Sequence, residues 1–165
     1  MSKQFGGKLT EKWKSVYSAS PNWKDGAFKN LIETQTGIDW RQIPGILCKQ
    51  IRGHKAGKPK VALPIQAFDK NAFLKPSEKA KFIWYGHSVI LMRLNNQTIL
   101  IDPMLSGDAS PIAPTKTKRF STNSLSIIND LPEIDLMVIT HDHYDHLDYD
   151  SIKKLKAKTK HFTHP

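Results

Sequence analysis

Hydrophobic and polar positions are organised differently in the two halves of this chain. Up to residue 78 no periodic apolar segment runs far, because Pro21, Gly26, Gly37, Pro44, Gly45, Gly53, Gly57, Pro59, Pro64 and Pro76 interrupt it. Short helices are the most this region allows. Residues 10–18 and 26–34 each predict a helix of about two turns, with Trp13, Val16, Tyr17, Phe28, Leu31 and Ile32 as packing positions. Trp23, Trp40 and Phe68 are expected to anchor the region onto the main body. Arg52–Lys60, which is basic, glycine-bearing and includes His54, reads as an exposed loop.

From Ala80 onward the texture is that of strands. Lys81–Tyr85 and Ser88–Leu94 are rich in β-branched and aromatic residues, Asn95-Asn96 is a turn pair that tolerates positive φ, and Gln97–Ile101 returns. Asp102-Pro103 ends the pairing, since proline has no N–H to offer a ladder. Residues 104–124 read as loop and Ser124–Asn129 as a short helical turn that Pro132 closes. Ile134–Thr140 is apolar apart from Asp135, which predicts a strand buried on both faces. Asp148 is a plausible N-cap for a helix over Tyr149–Lys158, with Asp150 near its positive end and Lys154, Lys156 and Lys158 near its negative end. A further strand is expected to begin at His161–His164. Strand, loop, helix, strand is a βαβ unit, so the class is α/β. Residues 1–78 form an irregular basic N-terminal extension in this reading, and residues 79–165 the folded body.

Composition narrows the field without deciding it. With 39% hydrophobic and 24% charged residues among 165, the chain is of ordinary globular type. It shows no apolar stretch of membrane-span length and no signal-peptide core, from which a cytoplasmic location is expected. A single cysteine, Cys48, excludes an internal disulfide or a zinc knuckle and is expected to be a small buried or half-buried apolar residue. Of the net charge of +10, nearly all lies in residues 1–80, which hold fifteen Lys and Arg against six Asp and Glu. Such a surface is either a solvated lysine-rich face or an attractor of phosphate groups on a substrate or a membrane surface. Nucleic acid is disfavoured as a partner, because no recognition helix, zinc finger or aromatic RNA-binding motif accompanies the charge.

Residues His141, Asp142, His143, Tyr144, Asp145 and His146 put three imidazoles and two carboxylates into one loop at the carboxyl end of a strand, where α/β sheets gather ligands. In extended chain His141 and His143 project to one side and can converge on one cation, while Asp145 and His146 turn toward a second. Two cations about 3.5 to 4 Å apart would share a water, lower its pKa and supply hydroxide as the nucleophile. A histidine-rich surface loop that caps the following helix is the competing reading. Asp142 is expected to be solvated and Tyr144 to pack or flank the cleft. Asp102 either orients a ligand histidine or is a plain turn residue. His87 either faces the cleft or satisfies backbone, and His161 and His164 are expected to be structural.

The His141–His146 loop, Gly86-His87-Ser88 and the hairpin ending Ile101-Asp102-Pro103 together resemble the metallo-β-lactamase superfamily. Phe82–Leu94, Asp102-Pro103 and Ile139–Asp148 look most like its branch of N-acyl-phosphatidylethanolamine-hydrolysing phospholipase D and related bacterial metal-dependent hydrolases. Ser20–Thr34 resembles that branch's N-terminal extension, and Ser110-Pro111 with Lys118-Arg119-Phe120 resembles its loop residues. The resemblance implies an αββα sandwich, of which residues 79–165 would be the N-terminal half. It also implies His141 and His143 as ligands of one metal, Asp145 and His146 as ligands of a second, and Asp145 as a catalytic residue. Asp102 and His87 would stand in the cleft or behind the ligands. Zinc is the expected metal, two ions per complete site, with iron or manganese compatible.

The family's later His, bridging Asp and last His have no counterpart by residue 165. A truncated gene product, a fragment, or a half-domain completed by another chain are the three explanations, truncation being preferred. An incomplete sandwich would expose an apolar sheet face and favour self-association. The implied function is metal-dependent hydrolysis of a phosphodiester or related ester on a small molecule or lipid headgroup, with activity of this chain alone in doubt. A lactonase of the same fold, and an inactive remnant or partner-binding half-domain, are the alternatives.

Overall fold

The computed structural model describes residues 9–32, 40–52, 59–109 and 118–163. Gly37, Gly53, His54, Gly57, Ser110, Pro111 and His164 lie outside the described residues. The chain divides into two compact units, residues 1–58 and residues 59–165.

In the first unit, α1 (Glu11–Ser18) starts where expected. Thr10 is its N-cap, with Oγ1 accepting the Trp13 N–H at 3.5 Å. The helix expected at 26–34 does not form over its described part, residues 26–32. Its start is instead a tight hairpin of β1 (Trp23–Lys24) and β2 (Ala27–Phe28). Asp25 and Gly26 between them have φ of 55° and 76°, which an Asp-Gly pair adopts readily and a helix does not. Tyr17, Trp23 and Phe28 pack on one another, with ring centroids 4.9 to 5.3 Å apart, so Trp23 serves the aromatic cluster of its own unit. A 3₁₀ turn at Trp40–Gln42 leads into α2 (Ile43–Arg52), ten residues that run through Pro44-Gly45 despite the expected break. Proline is tolerated there because it stands in the first turn, where its missing N–H would have no partner. Cys48, expected to be at least half-buried, is exposed, as are all the side chains of α2 from Ile43 to Lys49.

The second unit is a five-stranded sheet in the order β3-β4-β5-β6-β7, comprising Lys81–Trp84, Ile90–Leu94, Gln97–Ile101, Ile134–Val138 and Thr159–Thr163. The first three strands are antiparallel and the last two join in parallel, Ile101 opposite Val138 and Val138 opposite Thr163. Asn95 and Asn96, with φ of 48° and 60°, make the β4–β5 turn.

One sheet face carries the core. Leu91, Leu100 and Met137 are buried there with Phe73 of α3 (Lys70–Leu74), Ile127 and Ile128 of α4 (Ile127–Asp130), and Leu155 of α5 (Tyr149–Leu155). Phe68 meets Phe73 edge to face, with ring centroids 5.5 Å apart, and so joins this core. The other face presents Phe82, Trp84 and Leu94, exposed, and Ile90, Met92, Ile99, Ile101, Leu136 and Val138, half-buried. The strand expected to be buried on both faces is therefore fully buried on one, because the helices of this unit pack on that side. Two lysines close helix ends from a distance. Lys81 Nζ donates to the carbonyls of Ala72, Phe73 and Lys75 at the end of α3, and Lys158 Nζ to those of Ile128, Asn129 and Leu131 at the end of α4. No described helix is long and apolar enough to cross a membrane.

Candidate metal centre

β5 and β6 run in parallel and end side by side, and each leaves the sheet with a polar residue. Asp102 follows β5 with φ of 45°, its N–H still donating to Val138 O at 2.9 Å. The side chain is turned across to the neighbouring chain. Oδ1 accepts the Thr140 N–H at 2.8 Å, and Oδ2 accepts the Thr140 hydroxyl at 2.8 Å and pairs with His146 Nδ1 at 2.8 Å. Asp102 is 2% exposed. Its burial raises the carboxyl pKa, but the hydrogen bonds from Thr140 and His146 outweigh that and hold it below the ordinary carboxylate range.

Proton bookkeeping then fixes the rings. Asp102 is ionised and only accepts, so His146 donates through Nδ1–H and its Nε2 keeps the lone pair. The Thr140 hydroxyl spends its proton on Asp102. His141 Nδ1, 3.0 Å from Thr140 Oγ1, must therefore donate to that oxygen, which frees its own Nε2. A carboxylate behind an imidazole in this way is the arrangement that orients ligand histidines.

His143 O accepts from the N–H groups of both His146, at 3.0 Å, and Leu147, at 2.8 Å, which folds the loop back and brings Asp145 beside His146. Asp145 Oδ2 lies 3.8 Å from His146 Nε2 and 3.0 Å from His87 Nε2. One potential donor atom from each of His87, Asp145 and His146 falls within 4.8 Å of the others, the one such group among the described residues. The His141 ring is 3.9 Å from that of His146 and 4.7 Å from that of His143. His141 and His143 thus continue the line of rings without joining the three-residue group. His143 and Asp142 are exposed, and His141, Tyr144, Asp145 and His146 half-buried. His161 is exposed on β7.

His87 comes from the other end of the sheet's sequence. It stands in the Gly86–Val89 turn, closed by Val89 N–H to Gly86 O at 3.1 Å, with φ of 90° at Gly86 and 50° at His87. The far side of the loop is pinned by Asp148, which is fully buried. Its Oδ2 accepts the Ser106 N–H at 2.8 Å and the Ser151 hydroxyl at 2.5 Å, joining the chain after Asp102 to the start of α5.

Beside His87 opens a cavity of about 610 Å³, walled by Leu63, Ile65, Ile83, Tyr85, Phe120 and Ile127 among others. The Tyr85 hydroxyl is buried without a hydrogen-bond partner among the described residues, and burial, with Asp130 nearby, pushes its pKa up to about 12. Thr140 is the site residue that sequence reasoning overlooked. Its position, last before the histidines, was the available signal.

Two imidazole nitrogens and a carboxylate oxygen, with one ring held as the Nδ1–H tautomer, suit a divalent transition metal of mixed nitrogen and oxygen ligation. The residues present fit such a group.

Comparison with known proteins points the same way. Residues 97–165 match the family model described as a β-lactamase superfamily domain. An uncharacterized protein of Mycobacterium tuberculosis is 32% identical over 143 residues, which is 86% of this chain and 38% of that protein. A protein of Sulfolobus acidocaldarius named as a metal-dependent hydrolase is 38% identical over 77 residues, 47% of this chain and 28% of its own. N-acyl-phosphatidylethanolamine-hydrolyzing phospholipase D 1 of Caenorhabditis elegans is 36% identical over 72 residues, 44% of this chain and 20% of its own. The chain spans well under half the length of each of these relatives.

Proposed function

The chain belongs, through residues 97–165, to the metallo-β-lactamase superfamily, and we propose that it is part of a metal-dependent hydrolase acting on a phosphodiester or a related ester. The observation that carries this reading is the chain of contacts Asp102–His146–Asp145–His87 at the end of the parallel strands, where oriented donors face one point. His87, Asp145 and His146 would hold one cation, and His141 and His143 a second beside it. Zinc is the proposed ion, and a cation bound there supplies Lewis acidity and makes water a competent nucleophile near neutral pH.

The chain's own residues orient and neutralise. Asp102 keeps the His146 ring fixed, and Thr140 does the same for His141. In hydrolysis the water oxygen bonds to phosphorus, the bond to the leaving oxygen breaks, and that oxygen takes up the water's proton. Asp145 is placed to carry that proton, being half-exposed between two imidazoles. The phosphodiester is favoured over other esters because a relative named for phospholipase D activity matches across this region. The apolar cavity at His87 gives room for the non-reacting part of such a substrate.

The test is hydrolysis of bis(p-nitrophenyl) phosphate, a p-nitrophenyl carboxylic ester and a lactone by the metal-loaded chain, before and after chelation. Chelator-sensitive turnover of the phosphodiester supports the reading, and preference for the lactone replaces it with a lactonase. Bound metal with no turnover on any of the three would mean that these 165 residues do not catalyse.

A further inference from the structure

We infer that Arg119 is a positioning residue for the metal centre, holding in register the two turns that deliver His87 and Asp102; the inference rests on the metal-centre reading above. Arg119 touches none of the proposed ligands. Its main-chain N–H donates to Gly107 O at 3.1 Å, next to the Asp108–Lys118 bridge, so the residue is fixed to the segment that follows Asp102-Pro103. From there the half-buried guanidinium divides between two main-chain carbonyls. Nη1 donates to Met104 O at 2.6 Å and also lies 3.4 Å from Met104 Sδ, while Nη2 donates to Tyr85 O.

Those two carbonyls are the last fixed points before the site on each side. Met104 lies two residues beyond Asp102, and its N–H donates back to Asp102 O at 2.6 Å. Tyr85 lies two residues before His87 and opens the turn, with its N–H on Val89 O at 3.0 Å. The planar fork of one arginine thus spans the end of β3 and the exit of β5, which are not neighbours in the sheet order. β4 pairs with both strands as far as Ile90, which stands opposite Trp84 and Ile101, and Arg119 adds a tie just beyond that last pair. Nη1 and Nη2 are each committed to a carbonyl, which argues for a brace and against a free anion-binding group.

The fit at the second carbonyl is close. A Cβ added at Gly86 would meet Arg119 Nη2 at 3.2 Å, in a backbone whose φ of +90° already disfavours a side chain. Gly86 is therefore matched to the guanidinium as well as to the turn. Trp84 Nε1 adds a third tie by donating to His87 O at 2.9 Å. His87 is exposed, so these main-chain anchors, with the bond to Asp145, are what define its place.

The experiment uses the whole 165-residue chain and two readouts. In the metal-free protein, imidazole ¹H–¹⁵N spectra report the His87 Nε2–Asp145 bond, with Asp145→Asn identifying the signal. In parallel, Co²⁺ is titrated and its visible spectrum recorded. Arg119→Met is expected to abolish the His87–Asp145 signature and to weaken Co²⁺ by about tenfold or more, the usual scale for groups behind a ligand. Its cobalt spectrum should shift toward that of His87→Ala, and the double variant should bind no more weakly than His87→Ala alone. Arg119→Lys, whose ammonium lacks the fork, should fall between wild type and Arg119→Met.

A folded Arg119→Met chain, by near-ultraviolet circular dichroism and melting, with unchanged His87 signals and Co²⁺ affinity overturns the inference. Should that variant fail to fold, Arg119→Lys decides by the same readouts, since it keeps the charge and the stem but cannot reach both carbonyls with a fork. A wild-type chain that binds no Co²⁺ sinks the metal reading, while the imidazole spectra still decide the role of Arg119.

Discussion

Asp102 and Asp135 do the same local work at opposite ends of the same pair of parallel strands. Near the amino ends of β5 and β6, the β6 carboxylate of Asp135 accepts the β5 N–H of Thr98 at 2.8 Å. Beyond the carboxyl ends, Asp102 after β5 accepts the N–H of Thr140 after β6, also at 2.8 Å. Each then uses its remaining capacity on one more partner. Asp135 spends it on the Lys160 ammonium, at 2.8 Å, and Asp102 on the Nδ1 of His146. The same device closes the sheet at one end and presents a metal-ligand ring at the other. What separates structure from function here is the second partner and the depth: Asp102 is buried, whereas the Asp135 and Lys160 side chains are 26% and 55% exposed.

The contrast breaks most visibly in stability. Asp102→Ala leaves the Thr140 N–H, the Thr140 hydroxyl and the His146 Nδ1–H without the buried carboxylate that accepts all three, and should cost about 2 to 4 kcal/mol in the metal-free chain. Asp135→Ala leaves the Thr98 N–H without its acceptor and loses a bond to an exposed ammonium that water readily replaces, so a smaller loss of about 1 to 2 kcal/mol is expected. Urea denaturation of the two variants measures this directly. Equal losses would mean that depth does not distinguish the two carboxylates.

Metal affinity sharpens the comparison. Asp102→Asn keeps the shape but removes the charge that fixes His146, and should weaken Co²⁺ or Zn²⁺ by about 10- to 100-fold in chelator competition. Asp135→Asn should leave that affinity as it is. A smaller effect, about tenfold at most, is expected for Thr140→Val, which releases His141 from its oxygen while Asp102 still holds His146. If Thr140→Val proves as damaging as Asp102→Asn, the hydroxyl and not the carboxylate is the organising group.

Much of the sheet was legible because its signals are local. Alternating β-branched runs, the Asn95-Asn96 turn, the break at Asp102-Pro103 and the Asp148 cap each act over a few residues, and the β6–α5–β7 unit follows from them. The N-terminal unit was less so. Asp25-Gly26 is a stronger hairpin signal than the spacing of Phe28, Leu31 and Ile32 is a helical one, and Pro44 reads as a breaker unless its place in the first turn is known. At the site, the histidine loop announced itself by composition and position. Thr140 and Arg119 did not, because a hydroxyl and a guanidinium acquire their roles from carbonyls and carboxylates brought close only by the fold.

Acid and base titration tests the Asp135 end by itself, and the effect expected is the smallest of these. Chiefly the hydrogen bond from Lys160, then that from the Thr98 N–H, lowers the Asp135 pKa against the opposing effect of burial. A depressed carboxyl contributes stability above its unfolded pKa of about 3.9 and loses it as pH falls through the folded value. The Asp135 bond in turn raises the Lys160 pKa, so that partner contributes below its unfolded value of about 10.4 and fades as pH rises through the folded one. The stability difference between wild type and Asp135→Asn should therefore be flat from about pH 5 to about pH 9 and shrink on both sides. Urea midpoints taken across that range and up to about pH 11 would show that the sheet is closed by an ion pair at this end, and a wild-type minus Asp135→Asn difference that does not shrink above about pH 10 would remove the ammonium from that account.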